Sequence, residues 1–213
     1  MRAPRGAAVA GIVFSVVLVT AVLLLRLSVP SDPLKPEAWL QMKPARVVLA
    51  LNLVPFAGIA FLWFIGVLRD RLGAFEDRFF ATVFLGSGLL FLAMLFVGAA
   101  ALGALILVYG AEPQRLVGSA TFELARGLIA HIVNIYAIKM AAVFMIVTST
   151  LVLRTGFASR WIAFLGYALS LPLLVGSRFL DWGFAVFPVW VFFMSLHILV
   201  ANLLRPSEGA LDK

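Results

Sequence analysis

Six long apolar runs, separated by short polar stretches rich in Arg, Gly and Pro, divide the chain. They cover 7–28, 46–68, 79–109, 119–153, 161–177 and 183–204. Each approaches or exceeds the roughly 20 residues that a helix needs to cross a bilayer. The pattern predicts an all-α polytopic bundle of six transmembrane helices, forming a single integral membrane domain over 1–213. The first run outlasts the ~7–15-residue core of a signal peptide and ends without an Ala-x-Ala site, so it is read as an uncleaved helix. Between the first two runs stand Pro30, Pro33, Pro36 and Pro44, a density that no helix can absorb. Trp39 in that stretch suits headgroup depth. The run 79–109 is longer than one straight crossing requires and predicts tilt or protrusion.

The stretch 119–153 organises the rest. Its second half is apolar enough to span, yet it carries Lys139, and a lysine at a helix centre costs about 2.5–3.5 kcal/mol on insertion scales. Its first half carries Glu123, Arg126 and His131, so polarity fades along the helix. In a six-helix topology Asn52, Asn134, Tyr136 and Lys139 share the outer half of the membrane, with Glu123, Arg126, His131, Arg178 and Asp181 just above them. At about 100° per residue, Glu123, Gly127, His131 and Asn134 fall within about 80° of one another, with Lys139 about 80° beyond His131. Lys139 therefore needs a partner from another helix, and Asn52 and Asp181 stand at suitable depth. Two readings follow. Either these residues form a polar pocket with Lys139 as its charge, or Lys139 snorkels to the interface and serves packing alone.

Composition strengthens the membrane reading. The chain is 63% hydrophobic and 13% charged, against about 45–50% and about 25% in soluble domains. A formal charge of +7 raises the question of nucleic acid, but the cations are spread through short loops with no basic face. They are read instead as topology determinants and contacts to anionic lipid. Cytoplasmic termini place Arg69, Arg71, Arg78, Arg154 and Arg160 in tight inner turns, which sets the expected orientation. Those turns resemble each other, Arg71-Leu-Gly73 echoing Arg154-Thr-Gly156. Either an internal duplication or convergence of positive-inside turns accounts for that.

Catalytic chemistry finds no support: there is no nucleophile elbow, no phosphate loop and no paired acid and base. Zero Cys removes thiolate sites. His131 and His197 are expected near opposite membrane faces, too far apart to share a metal. No cofactor is implied. Gly86-Ser-Gly88 and Gly98–Gly103 are surfaces for close helix approach, or less often a ligand groove. Pro55, Pro172 and Pro188 interrupt three helices, in kinked packing or at a cavity wall.

Several stretches, Leu51-Asn-Leu-Val-Pro-Phe-Ala-Gly-Ile-Ala-Phe-Leu-Trp-Phe64, Arg69-Asp-Arg71, Arg160-Trp-Ile-Ala-Phe-Leu-Gly166 and Pro188-Val-Trp190, resemble a group of bacterial, actinobacterial-type multi-pass membrane proteins of uncharacterised function. The resemblance implies six helices in a bacterial plasma membrane and no particular activity. The expectation is a membrane protein that binds or transports a small anionic or amphipathic ligand. The alternative is a structural or accessory subunit packing against another membrane protein or lipid; the expected partners are membrane lipids and either a further copy of the chain or another membrane protein.

Overall fold

The structure, a computed structural model, describes residues 3–28, 43–72, 78–111, 113–176 and 183–203. Every regular element among them is helical: α1 (Ala3–Arg26), α2 (Pro44–Leu72), α3 (Arg78–Ala111), the short α4 (Pro113–Leu116), α5 (Ala120–His131), α6 (Ile138–Thr155), α7 (Arg160–Gly176) and α8 (Gly183–Leu203). Between α5 and α6 the helix continues as a π segment, Ile132–Ala137. Five of the described helical stretches are long and apolar enough to cross a membrane, counting 120–155 as one. The sixth run yields α7, an apolar helix of 17 residues. Trp39 and the residues at 73–77 and 177–182 lie outside the described residues.

Apolar periodicity builds the bundle by burying one stripe of each helix. α1 packs on α2 and α8, α3 on α2 and α6, and α7 mainly on α6. Phe14, Phe61, Phe91, Phe144 and Phe187, one ring from each of α1, α2, α3, α6 and α8, meet in the centre with centroid separations of 4.6–6.5 Å. Where helices touch most closely, glycine is the residue that permits it. A Cβ on Gly88 would stand 2.6 Å from Ile65 Cδ1, and one on Gly98 2.6 Å from Val133 Cγ2. Gly86 has open space beside it, so the pair Gly86 and Gly88 divides into one packing residue and one that is not.

The ends of the bundle differ. At the Thr155 end, Gly156 takes the left-handed conformation (φ 67°) that closes α6, and its N–H bonds the Val152 carbonyl. Ser159 then starts α7, its N–H and hydroxyl both directed at His197 Nε2, at 3.3 and 3.0 Å. Arg154 lies 4.3 Å over the Phe80 ring, and Trp190 Nε1 donates to the Ile162 carbonyl. His197 is thus a packing acceptor at a helix start.

The Arg26 end carries a second core. α3 has 34 residues and so is about 51 Å long, well beyond a ~30 Å hydrocarbon core. Its surplus helps build a separate small core of Val47, Leu105, Ile106, Tyr109, Leu116 and Phe122. This satellite roofs the main bundle.

Candidate functional site

Between the main core and that roof lies a cavity of about 640 Å³. α1, α2, α3, α5 and the π segment wall it, with Phe184 of α8 at its edge. The walls are mostly aliphatic, from Leu18, Val54 and Leu95 below to Leu105 and Ile129 above. Small residues leave the space: Ala99 of α3 and Gly127 and Ala130 of α5 line it, and Gly127 has nothing within 4 Å of its Cβ position. Pro55 and Pro188 each withdraw the N–H that would bond the carbonyl four residues back, those of Leu51 and Phe184. Both residues line the cavity.

Polar side chains enter at Arg26, Glu123, Arg126 and Asn134. α5 presents two of them because Ser119 caps its start, accepting from the Phe122 N–H. That fixes the first turn and places acidic Glu123 near the positive end of the helix dipole. Arg126 Nη1 donates to both Glu123 oxygens, at 3.0 and 3.3 Å, and its guanidinium lies 5.4 Å from the Phe122 ring centre. The Arg126 side chain is 14% exposed and that of Glu123 56%. The cation is turned inward and the anion outward.

The structure separates the residues expected to form one pocket. Glu123, Arg126 and Asn134 line the cavity, and Asn52, His131, Tyr136 and Lys139 do not. His131 Nδ1 donates to the Gly127 carbonyl at 2.8 Å, a bond within its own helix. Asn52 and Lys139 are exposed, and Tyr136 is 57% exposed. Lys139 makes no hydrogen bond or ion pair with any described residue, Asn52 included; Asp181 lies outside the described residues. Depth along a helix does not fix which face a side chain presents: His131 turns back onto Gly127, and Asn52 and Lys139 sit on exposed faces of α2 and α6. Across Ile132–Ala137 the turns close i→i+5, so a count at about 100° per residue no longer gives the face beyond them. Among the described residues no cluster of three His, Asp or Glu could hold a metal ion.

Arg26 is the lining residue that sequence reasoning passed over, being one of the cations read as topology determinants and contacts to anionic lipid. Its position in the last turn of α1, level with Arg126 under antiparallel packing, is a signal that the six-run pattern already contained. Searches against models of protein families, curated proteins and solved structures find no match to this chain.

Proposed function

We propose that this chain is an integral membrane protein that binds an amphipathic ligand in the cavity at the Arg26 end, apolar part among the aliphatic walls and polar part at Arg26, Glu123, Arg126 and Asn134. The observation that carries the reading is one cavity with aliphatic depth and a charged rim. Its volume falls in the range of about 300–1,000 Å³ typical of small-molecule sites.

α7 serves as a sixth crossing in this reading. Its 17 residues reach about 25 Å, at the lower limit for a spanning helix. Six crossings put both termini on one side. The Arg-rich turns assign that side to the cytoplasm, and the cavity then opens in the outer half of a bacterial plasma membrane. The chain has no Cys, so single-cysteine labelling is direct. Gln114→Cys is expected to react with an impermeant maleimide from outside intact cells, and Ser207→Cys only after permeabilisation. Labelling of both from outside would end the six-crossing topology, and the reverse pattern would invert it.

Binding is tested by native mass spectrometry of detergent-purified protein. Wild type and Lys139→Met are expected to carry the same small-molecule adduct, and Ala99→Trp, which fills the cavity, to lose it. An adduct unaffected by Ala99→Trp, or no adduct in wild type, would overturn the reading.

Exposed Lys139 favours a second reading, an accessory subunit, because an unpaired charge on a spanning helix is costly when it faces lipid. That reading predicts a co-purifying membrane protein that is lost in Lys139→Met.

A further inference from the structure

We infer, resting on the cavity reading above, that the ligand is one aliphatic chain bearing an anionic head, seated with the head against Arg126 and Arg26 and the chain directed toward Leu18 and Leu95.

Charge sign is the first support. The described lining residues include two guanidinium groups and one carboxylate. The carboxylate belongs to the more exposed side chain, so of the ion pair it is Arg126 that lies against the wall of this open-sided cleft. At 14% side-chain exposure its field is screened less than that of an exposed cation, which favours an anion and penalises a second cation.

Preorganisation is the second. Glu123 on Nη1 and the Phe122 ring beneath the guanidinium fix the plane of Arg126 on a capped helix. A guanidinium offers a rigid fork of donors that matches carboxylate and phosphate oxygens. A trimethylammonium head finds no acidic cage among the described lining residues, where Glu123 is the single carboxylate.

Depth is the third. From Arg26 to Leu18 the α1 wall descends about 12 Å, close to half of a ~30 Å hydrocarbon core. The cavity is therefore about one leaflet deep, and its wall below the rim is aliphatic from α1, α2 and α3. A small anion without a chain would leave that volume unfilled.

The test uses full-length protein in a neutral glycoside detergent, with native mass spectrometry after equimolar addition of three probes of matched chain length: a free fatty acid, a lysophosphatidic acid and a lysophosphatidylcholine. Wild type is expected to retain at least one of the two anions about tenfold or more over lysophosphatidylcholine, as charge-assisted hydrogen bonding implies. Whichever anion dominates identifies carboxylate or phosphate as the head. Arg126→Gln is expected to bring the ratio close to one, Arg126→Lys to keep part of it, and Ala99→Trp to abolish retention of all three. Arg26→Gln gives a second reduction should Arg126→Gln fail to fold. Equal retention of lysophosphatidylcholine by wild type overturns the anionic assignment while leaving the cavity reading in place. An unchanged ratio in folded Arg126→Gln removes Arg126 from the site. Failure to retain any probe overturns both readings.

Discussion

Phe61→Ala is expected to cost about 3–5 kcal/mol of stability, the range for emptying a buried aromatic site. Phe61 is fully buried. Its ring meets Phe14 at 4.6 Å, Phe144 at 5.3 Å, Phe91 and Phe187 at 5.6 Å and Phe64 at 6.0 Å. For a chain embedded in lipid, moving a ring from lipid to protein gains little hydrophobic energy, and helix association depends on packing. Dispersion and edge-to-face contacts carry the effect, with each aromatic pair worth about 0.5–1.5 kcal/mol beyond area. Because these partners come from α1, α2, α3, α6 and α8, one truncation loosens five helices together. Phe61→Leu retains most of the volume and is expected to cost less than half as much. Equilibrium unfolding in mixed detergent measures both. A Phe61→Ala loss below about 1 kcal/mol would remove the ring cluster as the centre of cohesion.

Alanine is expected to act with opposite sign at two glycines. Gly11→Ala should destabilise by about 1–3 kcal/mol, as overpacking does, while Gly66→Ala should stabilise by up to about 1 kcal/mol through helix propensity. A Cβ on Gly11 would collide with Ser195 Oγ and stand 2.8 Å from Phe64 Cδ2. A serine hydroxyl can rotate away. Phe64 cannot, because its buried ring is stacked on Phe61, so α1 must back away from α2 or α8. Gly66 has nothing within 4 Å and is exposed. Thermal unfolding in detergent separates the two cases, and equal shifts of the same sign would contradict the packing described for α1.

The spans were legible in the sequence because apolar length is a coarse signal, insensitive to the orientation of any one side chain. That is why 46–68 and Pro44–Leu72, or 183–204 and Gly183–Leu203, differ only at their ends. α7 was harder, since a 17-residue helix sits at the limit where apolar length decides. Site residues were legible by depth but not by face, since His131, before the π segment, bonds within its own helix and lies outside the cavity. Glu123 and Arg126 lie before the π segment and line the cavity, as does Asn134 within it. Lys139 lies beyond it and is exposed. Nothing in Ile132-Val-Asn-Ile-Tyr-Ala137 announces an i→i+5 turn, because the choice is made by what α5 and α6 must each bury. Phe122 of α5 belongs to the roof, whereas Ala141, Phe144, Met145 and Thr148 of α6 belong to the bundle. Arg26 shows a different gap, since charge counted along a chain does not say which cations converge.

The wide turn at 132–137 also means that the two halves of one long helix answer to separate demands. In an uninterrupted α-helix, a face chosen at Arg126 would dictate the face available at Phe144, five turns later. Here the six-residue π segment adds a fixed change of phase between them, so the cavity-lining face of α5 and the bundle-facing stripe of α6 stand at an angle that a straight helix would not give. Substitutions at Glu123–Ala130 and at Phe144–Thr148 stand several helical turns apart and should combine additively.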